Sequence, residues 1–311
     1  MTVLAGNILN AHTHLELGCL AHLCPGRGGN AFVPWIGALI AARHEISASG
    51  ELPFQRSAEE GIAQLLASGV ATVGDISATG ASVEPLLASD LSGVVYLEVL
   101  GMDRESARRH LRERQRRIDA LRRRETAGGV RVGLSIHAPY SCHPELFREG
   151  AAWCWAESVP LCVHVGESRA ERDLLQTGAG GFSALPNVFN VADVPAPGCS
   201  PVAYLQDLGV LEAQPLLVHC VQVDSADIAR IAAAGAAVAH CPRSNRLLQC
   251  GRMPLEQMLA AGVRVYLGTD SLASSPSLDV REEAAAANRL HDGKVTPQAV
   301  YALLHTELVV L

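Results

Sequence analysis

ILNAHTHL (8–15) reads as a short apolar strand ending in two histidines one residue apart. Side chains two apart on a strand share a face, so His12 and His14 converge on one side of whatever sheet holds them. Outward from this stretch the same kind of run recurs: ATVGDIS (71–77), GVVYLEVL (93–100), VRVGLSIHA (130–138), PLCVHVGE (160–167), PLLVHCV (215–221), AVAHCP (237–242) and RVYLGTDS (264–271). Each is short, rich in Val, Leu or Ile, and introduced by Gly, Pro or a polar turn, as strands buried on both faces should be. Helical patterns lie between them at about 57–68, 82–89, 104–125, 143–157, 224–234, 254–261 and 279–291. Eight strands alternating with helices predict an α/β protein, a (β/α)8 TIM barrel. A doubly wound open sheet is the alternative, and no GxGxxG or Walker sequence supports it.

The 311 residues are 49% hydrophobic and 18% charged, which suits one folded chain with a large core. A net charge of -7 argues against general nucleic-acid binding, which needs a positive field. The start, MTVLAGNILNAHTH, has neither a cationic lead nor an apolar stretch of signal length, and no run approaches a membrane span. The nine cysteines are scattered, form no CxxC pair, and read as reduced thiols of a cytoplasmic protein. Lys294 is the only lysine, so a Schiff-base or carbamylated lysine earlier in the chain is excluded. Ten arginines crowd residues 104–124, interrupted by Glu105, Glu113 and Asp119, and read as an exposed helix with partial charge pairing.

Two long connections, 16–56 and 168–214, would sit on the C-terminal face of a barrel, where substrate loops belong; the first carries a helix around Trp35 to Arg43. Polar residues recur at the ends of otherwise apolar strands: His12 and His14, His164, His219, His240 and Asp270. One such histidine is ordinarily a satisfied core residue. Several at one level of a closed barrel ring a single cavity. His12, His14, His164 and Asp270 supply three imidazole nitrogens and a carboxylate, suited to one divalent metal per chain, Zn2+ ahead of Fe2+, with a position left for water. Strand 4 offers His137 where a lysine would be needed to bridge a second metal.

Taken together, HTH (12–14), HVGES (164–168), HC (219–220), HCPRSN (240–245) and GTDS (268–271) resemble the amidohydrolase superfamily. Within it they look like the mononuclear, cytosine-deaminase-like branch. NAHTHLEL (10–17), FVPWIGALIAAR (32–43), IHAPYSC (136–142) and SLASSPSLDVREE (271–283) look most like aminodeoxyfutalosine deaminases and their neighbours. The resemblance implies hydrolytic deamination of an amino-substituted purine-type ring, a small-molecule substrate. In it Asp270 takes a proton from the attacking water, His219 orients that water and Glu167 protonates the ring nitrogen. His137 is a candidate for substrate contact, Arg243 for bounding the pocket with Ser244 and Asn245, and Phe32 and Trp35 for stacking on a planar ring. Arg43 and Arg169 are candidates for a substrate carboxylate. His240 is a weaker candidate, and the remaining histidines, His291 among them, show no strand-end pattern.

Such proteins normally flank the barrel with a small β-sandwich built from both ends of the chain. Here 311 residues leave room only for the barrel, so a single domain over 1–311 without the sandwich is expected, with the uncovered surface free or closed in a homodimer. Two other readings stay open. One is hydrolysis of a different C–N or C–Cl bond on a heterocycle; the other is a non-catalytic barrel acting as a binding scaffold.

Overall fold

A computed structural model describes residues 8–26, 28–50, 52–185, 195–305 and 307–308. The first seven residues, on which the reading of the N-terminus rests, and part of the 168–214 connection lie outside the described residues. The strands are β1 (Ile8–Thr13), β2 (Val70–Ser77), β3 (Ser92–Val99), β4 (Val130–Ile136), β5 (Leu161–Val165), β6 (Leu216–His219), β7 (Ala237–His240) and β8 (Arg264–Leu267). All pairings are parallel and follow sequence order from β1 to β8. A parallel bridge from Thr13 to Asp270 brings the two edges together, giving the (β/α)8 barrel the alternating pattern predicts.

Two apolar layers hold it. Inside the lumen, Leu9, Ala11, Ile76, Val94, Tyr96, Cys162, Leu216, Val218, Ala237, Ala239, Cys241 and Tyr266 form one cluster. They recur mostly at every second position of their strands, as the lumen of a small barrel requires. The opposite faces pack on the helices in a second, larger cluster.

The expected helices are present, most within a few residues of their sequence-read bounds. The segment around Trp35 extends further than expected, as Phe32–Ser49, and the arginine-dense stretch is the helix Arg104–Arg122. Ala107, Leu111, Ile118 and Leu121 are its buried face, and Arg108 pairs with Glu145 and Glu149. Helices Arg169–Thr177 and Pro201–Asp207 were hidden inside the second connection. Their signals are local: Ser168 and Ser200 cap the first turns, and Gly178 ends the first helix in a left-handed conformation. Among the described residues no helix is long and apolar enough to cross a membrane.

Strict alternation would leave His12 facing away from the lumen, because Leu9 and Ala11 already point inward. A bulge resolves the conflict. Asn10 pairs with Val73 and Thr13 with Asp75, so Ala11 and His12 together oppose Gly74. The extra residue resets the phase and turns His12 and His14 toward the barrel mouth. Gly74 is required there, since a Cβ would run into the Ala11 carbonyl oxygen and carbon. Gly74→Ala should therefore lower stability by about 1–3 kcal/mol, seen as a reduced urea midpoint.

Candidate active site at the barrel mouth

Each polar group of the mouth is aimed by a local backbone device. His164 follows Cys162 on the inward face of β5 by simple alternation. His219 directly follows inward Val218, and its φ of 75° turns the side chain back into the mouth. Asp270 also adopts a left-handed φ, 61°, beyond the end of β8. Non-glycine residues in this region carry strain that the surroundings must offset, and such strain gathers at functional sites.

The result is a tight cluster. His12 Nε2 lies 3.4 Å and His14 Nε2 3.7 Å from Asp270 Oδ1, while His14 Nε2 and His164 Nε2 are 3.3 Å apart. Ligand atoms of His12, His14 and His164 fall within 4.8 Å of one another, as do those of His12, His219 and Asp270. The donor chemistry fits a divalent cation. His164 Nδ1 faces the His137 carbonyl at 3.1 Å, which can only accept, so Nδ1 holds the proton and Nε2 keeps its lone pair. Burial holds His14 and His164 well below the usual imidazole pKa, hence neutral and free to coordinate. His12 Nε2 is buried without a hydrogen-bond partner among the described residues. A cation among these atoms would satisfy all of them at once.

Asp270 and Glu167 share the mouth and are treated oppositely. Burial pushes the Asp270 carboxyl up, but the imidazoles of His12, His14 and His219 outweigh it and hold the group well below the usual range. Its oxygens accept from Ser244 Oγ (2.7 Å), Ser274 Oγ (2.9 Å) and the Ser271 amide (2.8 Å). Glu167 is pushed well above the usual range by burial, then by the charges of Asp270 and Glu171. Its Oε1 lies 3.4 Å from His219 Nε2. His219 Nδ1 meets Asn245 Oδ1 at 2.9 Å, which leaves the lone pair on Nε2, and burial lowers this imidazole to about 4. Glu171, buried beneath the loop, accepts from the Gly166 and Glu167 amides at 3.0 and 2.9 Å and so fixes where Glu167 sits.

The cluster floors a cavity of about 680 Å3 whose wall includes His14, Trp35, Arg43, Glu98, His137, His164, Glu167, His219 and Asp270. Its size and mixed lining are those of a small-molecule site. Phe32 and Trp35 both line it, and the Trp35 indole N–H is occupied by the Ala273 carbonyl at 3.0 Å. Arg43 also lines it, whereas Arg169 is exposed and paired with Asp173.

Two sequence-read candidates lie elsewhere. Arg243 is absent from this wall; its guanidinium is held by the buried Glu283, by Glu282 and by Ser277, and its amide donates to Glu283 at 2.9 Å. His240 faces outward from β7, since Ala239 and Cys241 take the lumen positions, and its Nε2 meets His291 Nε2 at 3.3 Å. Glu98 is the converse: a cavity residue that the strand-end survey passed over, although a carboxylate inside VYLEVL is itself a signal.

A parallel barrel whose C-terminal mouth gathers three imidazoles, a carboxylate and a separate buried acid has the architecture of a metal-dependent barrel hydrolase. The chain belongs to the amidohydrolase family, whose model matches residues 2–304. It is 38% identical over 301 residues to an aminodeoxyfutalosine deaminase of Deinococcus radiodurans, spanning 94% of this chain and 69% of that protein. The crystal structure of Helicobacter pylori aminofutalosine deaminase superposes with a TM-score of 0.79 at 26% identity, covering 97% of this chain and 71% of that one. An adenosine deaminase from Xanthomonas campestris with bound zinc shares the fold, with a TM-score of 0.75, 21% identity, and coverage of 96% and 62%.

Two substitutions separate the mouth from its surroundings. His164→Ala should abolish stoichiometric metal in elemental analysis, while His240→Ala should retain it. Arg243→Ala strands the Glu283 carboxyl, so a loss of about 3–5 kcal/mol is expected in denaturant titration with KM unchanged.

Proposed function

We propose that the chain is a hydrolytic deaminase that uses one divalent metal, zinc first, to replace the amino group of a purine-type ring and release ammonia. Aminodeoxyfutalosine and adenosine derivatives are the substrates to try first. His12, His14, His164 and Asp270 would hold the cation. The metal, when bound, supplies a Lewis acid that lowers the pKa of water toward neutrality.

The protein's own groups then divide the proton work. Asp270, ionised in its imidazole surroundings, accepts a proton from the attacking water. His219, neutral and with its Nε2 lone pair exposed, accepts a hydrogen bond from that water and fixes its direction of approach. Glu167 enters as the neutral acid and protonates the ring nitrogen; Asp270 then gives the proton it took from water to the departing amine, and the hydroxyl left on the ring carbon returns a proton to Glu167 as the carbonyl forms. The surrounding apolar wall, Phe32, Trp35 and Ile36 among it, keeps bulk water from the reacting carbon.

One observation carries this reading above the others: Glu167 is a buried acid set 3.4 Å from His219 Nε2 but apart from the metal-binding group. A scaffold has no need of a proton donor there. A hydrolase that expels a good leaving group has less need of one than an enzyme that expels ammonia. The raised pKa sets the sign of the pH response. The required protonated form persists above the ordinary carboxylate range, and kcat/KM declines as pH rises through the raised value. Glu167→Gln should lower ammonia release by about 10²–10⁴-fold and flatten that alkaline limb, with metal content unchanged. Turnover at the parental rate would remove Glu167 from the mechanism.

A further inference from the structure

A chain of polar side chains runs behind β7, outside the cavity and unused by the proton chemistry. Its inner member is His240, the last residue of β7, fully buried and turned toward the helix layer. His240 Nε2 lies 3.3 Å from Nε2 of His291, itself fully buried at the C-terminal end of helix Val280–Leu290. His291 Nδ1 in turn faces Glu256 Oε2, on helix Leu255–Ala260, at 3.5 Å, near enough for charge though outside hydrogen-bond geometry. Arg252 donates to the two Glu256 oxygens at 3.1 and 2.6 Å, and Lys294, the only lysine, approaches at 3.6 Å.

The chain has one direction. Two ring nitrogens facing each other share one proton, so one ring donates and the other accepts. Burial, then the neighbouring His291, His219 and Arg252, hold His240 well below the usual imidazole range. Burial and Arg252 bring His291 down to about 4, so both rings are neutral. The Glu256 carboxylate draws the His291 proton to Nδ1, which leaves His291 Nε2 to accept and His240 Nε2 to donate. Two buried imidazoles are a costly filling for a layer between helix and sheet, where apolar side chains pack without desolvating polar atoms. What the pair adds over apolar packing is a fixed distance and orientation.

The residues that follow His240 aim the proton-handling groups of the mouth. The His240 carbonyl accepts from the Gly268 amide at 3.0 Å, which locks β7 to β8 two residues before Asp270. The next turn, helix Pro242–Leu247, presents Ser244 Oγ to Asp270 Oδ2 at 2.7 Å and Asn245 Oδ1 to His219 Nδ1 at 2.9 Å. His240, His291 and Glu256 are absent from the cavity wall, so any influence on the chemistry passes through this turn.

We infer that His240 is a positioning residue for the deamination: anchored by His291 and Glu256, it holds the turn from Cys241 to Asn245 where Ser244 meets the Asp270 carboxylate and Asn245 meets His219. The inference rests on the deaminase reading for what Asp270 and His219 do, and on the geometry alone for how they are held.

The test uses the zinc-loaded protein. Turnover is followed by ammonia release from adenosine and aminodeoxyfutalosine, and the His219 tautomer by nitrogen-15 spectra of histidine-labelled protein, in which bare and protonated nitrogens resonate apart. His240→Leu keeps an apolar filling and removes the donor. It should lower kcat by about tenfold or more, with zinc retained and KM within about twofold of wild type. Its His219 signals should move from a single tautomer toward a mixture. His240→Gln, which returns an N–H near the place of Nε2, should recover kcat to within about threefold of wild type. Glu256→Ala, at a partly exposed position, should act in the same sense but more weakly, and guards against a folding defect in the buried variant.

Wild-type kcat with an unmoved His219 spectrum in His240→Leu would overturn the proposal. So would a glutamine variant no better than the leucine one, or a rise in KM and loss of zinc alongside kcat, since either makes His240 mere packing. If His240→Leu does not fold, Glu256→Ala decides, and wild-type kcat and spectrum there remove the positioning role. If wild type releases no ammonia from either compound, the deaminase reading falls and the spectrum alone decides: a moved His219 tautomer keeps the positioning role and an unmoved one removes it.

Discussion

A closed parallel barrel shows its lumen only every second residue of each strand, yet the active centre needs groups at a single level of the mouth. The geometry of this site depends on breaking that alternation at chosen points. A bulge opposite Gly74 shifts β1 by one residue and delivers His12 and His14. Left-handed backbone at His219, Cys220 and Asp270 does the same at the ends of β6 and β8. Gly268 completes the fit, because a Cβ there would press on His12 Cβ and the His12 amide. Four histidines from three strands come within 5.7 Å, ring centre to ring centre, of His12 or of each other only because these exceptions coincide.

Exceptions of this kind need anchors, and two buried carboxylates provide them. Asp75 accepts from the Leu15 amide and from the hydroxyls of Thr13 and Ser82, which fixes the chain immediately after the bulge. Glu16 accepts from the amides of Thr79, Gly80 and Ala81 and from the Ser77 hydroxyl, tying the first connection to the end of β2. Carboxylates with several backbone donors are rigid fixtures, unlike exposed ion pairs. On the opposite side Glu171 plays the same part beneath Glu167. The mouth is thus braced by acids whose oxygens are taken up by backbone amides and hydroxyls.

Much of this was legible in the sequence, because a barrel strand is a short apolar run and a polar residue at its end stands out. His12, His14, His164, His219 and Asp270 all came from that contrast, and the structure gathers them together. The same rule failed where the phase of a strand mattered. His240 is a strand-end histidine on the outward face, and only knowing that Ala239 and Cys241 occupy the lumen places it against His291. Arg243 sits beside the motif in sequence, but Glu283, forty residues on, claims its guanidinium. Glu98 was missed because one charged residue inside an apolar run does not declare its face. Helices Arg169–Thr177 and Pro201–Asp207 were missed because their capping signals fall within a segment read as loop.

The two carboxyls of the mouth show how environment assigns a role. Asp270 has donors around it: two serine hydroxyls and a backbone amide donate to its oxygens, and the neighbouring imidazoles lower its carboxyl further. Glu167 shares the same low-dielectric cavity, but its carboxyl faces only an imidazole lone pair, and other carboxylates lie nearby. Each group makes the other's state more secure, since the Asp270 charge is itself a reason for Glu167 to stay protonated. A base and an acid of the same chemical type can therefore coexist within one cavity at one pH. Had both carried the same set of donors, both would ionise and no proton would remain for the ring nitrogen. The asymmetry of hydrogen-bond donors, rather than the presence of two acids, is what suits this mouth to a reaction in which one proton must be taken and another given.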